Sequence, residues 1–341
     1  ARVVSLGWRA GLGRVPIAHP RQLQLLGGKL YALRHDGGQW KVSAIALHAG
    51  MPQGDWQPVA TIQGIDNVTD CKLDARGNLY VSDLKGNQVY KLNPQGQIVH
   101  RFGRATVQRP GHYDEQVFMS PGKLALWTDG QGQDRLLVVE TSGPNRMSEW
   151  TTDGKLLRQW FCGNWAADGG YCADPENPEQ IYTTTVSSAT LKGLIRYKVD
   201  YDKGTWTVDA VWPDICHTYP ACDVLPVEQQ FPGGAFRPRI VNLQGHKYLV
   251  FARSVQNTFG TMVYRQQGDD WVPSAALISG KTPGNRPAWQ GGWTDAYWWH
   301  DANGDGQLQP EEYKDNPTTL PGQLRYWGEQ WLDDLSFVKL Q

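Results

Sequence analysis

The twelve residues from Asp301 to Glu312, DANGDGQLQPEE, carry the sharpest chemistry in the chain. Asp301, Asn303 and Asp305 place side-chain oxygens at the first, third and fifth positions. Gly306 follows at the sixth, apolar Leu308 at the eighth and Glu312 at the twelfth. A hard cation of calcium's size takes roughly six to eight oxygen ligands. In this spacing Asp301, Asn303 and Asp305 each offer a side-chain oxygen, Gln307 its backbone carbonyl and Glu312 a bidentate carboxylate. Gly306 allows the chain to wrap sharply around the ion. The expected chemistry is a structural Ca2+ site, because protein occupies every liganding position and leaves none for a reacting group.

The spacing is that of an EF-hand loop, but the flanks depart from helix-loop-helix. Trp298-Trp299-His300 read as a strand, and Pro310 with Lys314-Asp315-Asn316-Pro317 leaves room for little more than one helical turn. The expectation is a solitary EF-hand-like loop in the last repeat of a β-fold.

Cysteines supply the next candidates. Cys162 and Cys172 enclose a Gly/Asp-rich loop, and Cys216 and Cys222 enclose CHTYPAC. Both read as local disulfides pinning segments without a core of their own, with Cys71 left as a free, buried thiol; five reduced cysteines in a cytosolic protein are the alternative. No CxxC or CxxCH occurs, so a four-thiolate zinc site and c-type haem attachment have no support.

The eight histidines show no HxH or HExxH spacing. His112, in Pro110-Gly111-His112-Tyr113-Asp114-Glu115, draws notice because carboxylates follow it, and His217 sits within a proposed disulfide loop. The pairs Asp114/Glu115, Asp269/Asp270 and Asp333/Asp334 read as solvated turn charges, since neighbours on a strand point to opposite faces. No GxSxG elbow and no phosphate-binding glycine fingerprint occur, which leaves α/β-hydrolase and nucleotide chemistry unsupported.

Tryptophan is over-represented: 16 against 8 Phe. Trp40, Trp56, Trp127, Trp150, Trp160, Trp206, Trp212 and Trp271 lie in or beside strand-like runs and read as core. Trp165, Trp289, Trp293, Trp298, Trp299, Trp327 and Trp331 fall in insertions or near the Asp301 loop, where indoles can stack on sugars or partner aromatics.

The elements that must hold these residues are short strands. The chain has 341 residues, 40% of them apolar, with 38 Gly and 21 Pro and a net charge of −1. That balance gives no electrostatic footprint for nucleic acid. No run approaches the roughly 18 apolar residues of a membrane span. Ala1–Pro20 lacks an initiating Met and an apolar signal core, so a mature or excised chain is expected, secreted to an extracellular or periplasmic space. The strand-like end at Leu335–Gln341 suggests a longer parent, a larger extracellular complex, or closure through the N-terminal strand.

Internal repetition fixes the plan. Residues 74–103 match a segment 58 positions later, with Leu137, Val139, Asn145, Met147, Gly154, Leu156 and Trp160 falling on Leu79, Val81, Asn87, Val89, Gly96, Ile98 and Phe102. Gly/Asn/Pro turns separate strands of four to six residues into antiparallel meanders. Weaker copies occupy 28–62, 180–213 and 238–278, and a sixth needs 293–341 with help from Val3–Trp8. A meander cannot bury both faces alone, so the copies must stack, and radial closure protects their edges.

At residues 64–103 the chain resembles the NHL-repeat β-propeller family, through Asp74, Gly77, Asn78, Leu79, Tyr80, Val81, Asp83, Asn87, Val89, Leu92 and Gly96. The expectation is one all-β domain over 1–341: a six-bladed β-propeller of four-stranded antiparallel blades, or seven blades, with insertions near 163–179, 213–236 and 279–292. Its expected role is a calcium-binding recognition or scaffold module for a protein or carbohydrate ligand. The alternative is an extracellular lyase, hydrolase or oxidoreductase working at the channel mouth.

Overall fold

A computed structural model of the chain describes residues 2–5, 14–141, 145–161, 170–187, 190–213, 215, 237–255, 258–279, 296–307, 309–315, 329–331, 334–335 and 337–339. Among them all regular structure is strand, apart from one 3-10 turn at Pro310–Glu312. A ribbon of β1 (Arg2–Ser5) and β2 (Arg14–Ile17) comes first. Five antiparallel sheets follow in chain order. The first contains β3 (Pro20–Leu26), β4 (Lys29–Asp36), β5 (Gln39–His48) and β6 (Met51–Thr61). The second contains β7 (Val68–Leu73), β8 (Leu79–Asp83), β9 (Gln88–Leu92) and β10 (Ile98–Phe102). The third contains β11 (Pro121–Thr128), β12 (Asp134–Glu140), β13 (Arg146–Thr151) and β14 (Leu156–Phe161). The fourth contains β15 (Tyr171–Asp174), β16 (Asn177–Ser187), β17 (Thr190–Asp200) and β18 (Thr205–Pro213). The fifth runs through β19 (Arg237–Leu243), β20 (His246–Val255), β21 (Thr258–Gln267), β22 (Asp270–Ser279), β23 (Ala296–His300) and β24 (Tyr313–Asp315). A last ribbon pairs β25 (Glu329–Trp331) with β26 (Phe337–Lys339).

Two compact units divide the chain. One comprises Ala1–Val107, Glu115–Thr141 and Arg146–Phe161; the other comprises Gln108–Asp114, Ser142–Asn145 and Cys162–Gln341.

In the first unit the sheets pack face to face in chain order, and β8 shows why. All five of its residues are buried. Strand alternation sends Leu79 and Val81 into a cluster with Leu33 and Val42 of the first sheet. It sends Tyr80 the other way, with Val89 and Phe102, onto Phe118, Leu124, Leu136, Val138 and Trp150 of the third-sheet region. A strand buried at every position is what a sheet covered on both faces produces, and here even Ser82 and Asp83 are enclosed. Side chains also lace the first strands together. Gln24 on β3 exchanges two 2.8 Å hydrogen bonds with the backbone of Leu73 on β7. Buried Asp70 on β7 accepts the Leu124 amide of β11 at 2.9 Å.

One hairpin design recurs four times in this unit. Asp74, Asn93, Asp129 and Thr151 each open a turn closed by a backbone amide four residues on, at Asn78, Gln97, Gln133 and Lys155, accepted by the opening side chain at 2.9–3.0 Å. The glycine at the fourth place, such as Gly77 or Gly96, adopts positive φ, +84° and +82° respectively. Asp74 accepts Asn78 Nδ2 as well, at 2.8 Å, which explains the Asp-x-x-Gly-Asn pattern.

In the second unit the fourth and fifth sheets share a core of Tyr182, Leu194, Trp212, Ile240, Phe251, Tyr264, Trp271 and Trp299. The opposite face of the fifth sheet packs Val241, Val250, Val263 and Ala275 against Leu335. Between β15 and the β19–β20 hairpin, fully buried Asp174 meets Lys247 and accepts Asn242 Nδ2 at 3.2 Å. Burial alone would raise the Asp174 carboxyl, but the bonds from Lys247, the Glu176 amide and Asn242 hold it below its usual range.

The sequence-based expectations change in four places. Residues 296–300 and 313–315 extend the fifth sheet instead of founding a sixth, because β23 pairs along β22 from Ser279 to Ala275. The ends of the chain contribute two-stranded ribbons; of the expected strand Val3–Trp8, residues 3–5 pair with 14–16 and residues 6–8 lie outside the described set. Residues 171–179 belong to β15, its turn and β16, so the expected insertion at 163–179 loses its second half, while 216–236 and 280–292 lie outside the described residues. Finally, Cys172 is a free thiol packed against the fourth-fifth sheet core, where burial pushes it up to about 12. Its expected partner Cys162, and Cys216 and Cys222, lie outside the described residues.

Candidate functional sites

The Asp301–Glu312 loop joins β23 to β24 at the edge of the fifth sheet. Its entry is fixed by the Asp301 amide, which donates to the Ser274 carbonyl on β22 at 2.9 Å. Asp301 is buried, and its Oδ1 accepts the amides of Gly304 at 2.8 Å and Asp305 at 3.1 Å while Oδ2 accepts Gly306 at 3.1 Å. Asn303 Oδ1 accepts the Asp305 amide at 2.9 Å, and Asp305 Oδ1 accepts Gln307 at 2.8 Å. The Gln307 amide holds the Asp305 carboxyl below its usual range, helped by Gln309 and Asn303. Gly304 and Gly306 take φ of +79° and +69°, which is how the chain turns within so few residues.

Glu312 closes the loop from the 3-10 turn. Its Oε1 accepts the Ala302 amide at 2.9 Å, and its Oε2 accepts the indole N–H of Trp299 at 3.2 Å. Trp299 is fully buried, opposite Ala276 on β22, so the loop's last carboxylate is anchored to the sheet core. The strand before the loop and the single turn after it match the sequence reading. Leu308 lies outside the described residues.

Among the described residues no three His, Cys, Asp or Glu side chains converge closely enough to hold a metal ion. The loop carboxylates bind amide and indole hydrogens instead. Yet Asp301 and Glu312 are 8% and 7% exposed, and every donor to them in the loop is neutral. The donor set is all oxygen, the chemistry a hard cation takes, and the Arg265 guanidinium lies against the loop, 2.8 Å from where a Cβ on Gly304 would sit.

His112 finds a distant partner. Its Nε2 lies 2.9 Å from Asp269 Oδ2, on the turn between β21 and β22, and Arg109 Nη2 lies 3.4 Å from the same nitrogen. The Gly111 amide donates to the Val211 carbonyl at 3.0 Å, and a Cβ on Gly111 would lie 2.2 Å from the Asp269 carbonyl oxygen. This segment therefore docks tightly on β18 and the β21–β22 turn. With the His112 and Asp269 side chains 50% and 63% exposed, the pair is a surface pin rather than a desolvated acid-base dyad. Asp270 accepts the Trp271 amide, while His217 and Asp333 lie outside the described residues. Cys71 is buried and pushed up to about 12 by burial, so it fills core and is no nucleophile.

The tryptophans sort differently from their sequence contexts. Trp150, Trp212 and Trp271 are fully buried, but Trp127, Trp160 and Trp206, also expected in the core, are 39%, 37% and 55% exposed. Trp299, expected to be available for stacking, is core. Trp165, Trp289, Trp293 and Trp327 lie outside the described residues, and the strands alone place Trp298 and Trp331. Trp127 lines a groove of about 510 Å³ on the third sheet that the sequence did not announce.

No protein-family model matches the chain. No curated protein matches it either. Solved structures similar to it include a virginiamycin B lyase from Staphylococcus aureus, at 11% identity over 82% of this chain and 95% of that one, with a TM-score of 0.29. A 6-phosphogluconolactonase-like protein from Bacteroides fragilis aligns at 15% identity over 77% and 71%, TM-score 0.30. The Dos1 propeller aligns at 11% identity over 93% and 74%, TM-score 0.28. Likenesses of this size decide neither fold nor activity.

Proposed function

We propose that the chain is a secreted, calcium-stabilised β-propeller of NHL type, serving as a recognition or scaffold module for a protein or carbohydrate ligand. The observation that carries the reading is the pair of buried carboxylates, Asp301 and Glu312, in a loop with EF-hand spacing, each bonded by neutral amide or indole donors. Asp301, Asn303, Asp305, Gln307 and Glu312 would hold the ion, which would draw the loop oxygens together and fix the edge of the fifth sheet. Extracellular calcium, which modules of this kind bind in roughly the 0.1–1 mM range, favours a location outside the cytoplasm.

Radial stacking is supported by the face-to-face packing of successive sheets and by the side-chain bonds from β3 to β7 and from β7 to β11. In such a ring no sheet leaves a long free edge.

Thermal unfolding with calcium and with chelator tests the reading. Calcium at about a hundred times its Kd adds roughly 2.7 kcal/mol of stability, so chelation lowers the Tm. Asp305→Ala, which removes one ligand from an exposed position, removes that sensitivity. Superimposable melting curves for the wild type in the two conditions would overturn the calcium site.

A further inference from the structure

The third sheet carries a feature that calcium binding and sheet stacking do not use. Its β11–β12 turn and β13–β14 turn project at the same end, and between them lies the groove of about 510 Å³. Trp127, Asp129, Gln131, Arg135, Glu149 and Arg158 line it. All lie on the two turns or within a few residues of them, so the groove sits at the sheet's end rather than on its body.

We propose that this groove binds a neutral saccharide. The indole of Trp127 is part-exposed, and no aromatic ring or cation occupies its faces among the described residues. Trp160 differs, because the Arg158 guanidinium lies over it at 5.1 Å. A free indole face offers a flat apolar platform of the kind a pyranose ring presents in return through its C–H groups.

The charges around the platform select the ligand class. Arg135 Nη2 lies 2.6 Å from Asp129 Oδ2, and Arg158 pairs with Glu149. Two cations and two anions cancel, so the groove attracts neither a phosphate nor an amine by net charge. What it presents instead is the exposed Arg158 guanidinium, held from beneath by buried Glu149, and the part-exposed edges of Arg135 and Asp129, oriented by one another. Such groups donate to and accept from adjacent hydroxyls at fixed spacing. Asp129 is further held by the Gln131 and Gln133 amides, both at 2.9 Å, which keep its carboxyl below the usual range. An apolar platform beside preorganised, mutually neutralised donors and acceptors fits a flat, uncharged, hydroxyl-rich molecule.

The proposal deepens the recognition reading above and rests on it, but it requires neither calcium nor closure of a ring, since one sheet supplies every lining residue. The test is titration calorimetry of the full chain with cellohexaose, xylohexaose and chitohexaose, repeated for Trp127→Ala, Arg158→Ala and, as a control on an exposed indole outside the groove, Trp206→Ala. Unchanged melting temperatures show that the variants fold. The expected result is saturable binding of at least one oligosaccharide, weakened at least tenfold by the Trp127 and Arg158 changes and unaltered by Trp206→Ala. No binding of any of the three overturns the saccharide proposal. Equal binding by wild type and Trp127→Ala overturns the groove while sparing the recognition role, and a flat response to chelation would count against the calcium loop alone.

Discussion

Glu140 and Arg146 flank the loop between β12 and β13 and are both fully buried as side chains, a rare state for an ion pair. Arg146 contacts Glu140 and donates to the carbonyls of Glu115 at 2.8 Å and Val117 at 3.2 Å, while its guanidinium lies over Phe118. Glu140 also accepts the Met119 amide. The pair thus ties residues 115–119 to the third sheet. Burial pushes Glu140 up to about 7 from 4.5, although Arg146 and the Met119 amide pull the other way. The folded protein then holds a proton that the unfolded chain releases between about pH 4.5 and 7. Stability from this group is therefore full below pH 4.5 and is lost as pH rises to 7. Glu140→Gln cannot titrate and stands in for the protonated carboxyl, so it is expected to flatten that slope; urea midpoints at pH 5, 6, 7 and 8 measure it. The same slope in wild type and variant would show that another group causes it. Nothing in the spacing of the two residues marks them as a pair, whereas the oxygen ladder of Asp301–Glu312 is visible because all its members fall within one twelve-residue loop. Exposure of Trp127 and Trp160 was equally hidden, since strand alternation reveals which residues share a face but not which face is covered.

At the scale of elements, the turns were legible and one register was not. The glycine-bearing turns follow local chemistry: an Asp, Asn or Thr oxygen accepts amides one turn ahead, and this needs no tertiary contact. Their glycines nevertheless differ in surroundings. Gly77 and Gly96 have nearly the same φ, but a Cβ on Gly77 meets only the Pro94 ring, at 3.5 Å and beyond, while one on Gly96 would lie 2.0 Å from the Thr61 carbonyl oxygen. The Gln63 amide also donates to Gly96 O at 3.1 Å. Gly77→Ala should cost about 1–2 kcal/mol from backbone strain alone. Gly96→Ala should cost at least about 1 kcal/mol more, because the first and second sheets must part to admit the methyl. Denaturant unfolding of the two variants gives the difference, and equal losses would mean the contact contributes little. The register that escaped lies in the 58-residue match. Ser82 pairs with Val89 across 83–88, whereas Val139 pairs with Met147 across 140–146, one residue more. A single extra loop residue reverses faces. Leu136 and Val138, not Leu137 and Val139, therefore take the inward places of Leu79 and Val81, and Val139 is left 39% exposed.

For the whole molecule, the difference between a stack of meanders and a closed ring is a difference in cooperativity. Independent units unfold and exchange amide hydrogens each at its own free energy, whereas a ring in which every sheet covers the next opens as one body. The Asp301–Glu312 loop provides a handle, because its residues lie in the second unit and anchor, through Trp299, in the core shared by the fourth and fifth sheets. The most buried strand of the first unit is β8, with all five residues enclosed. If the sheets close radially and the loop binds calcium as proposed, the stability that the ion adds at residues 301–312 is felt by β8, which lies more than two hundred positions away in the sequence. Amide exchange followed with calcium and with chelator should then show the slowest amides of β8 and of β21 losing protection by the same factor, about a hundredfold where calcium contributes roughly 2.7 kcal/mol. Loss confined to β19–β24, with β8 unchanged, would mean that the two units unfold separately and that the ring is not the native arrangement.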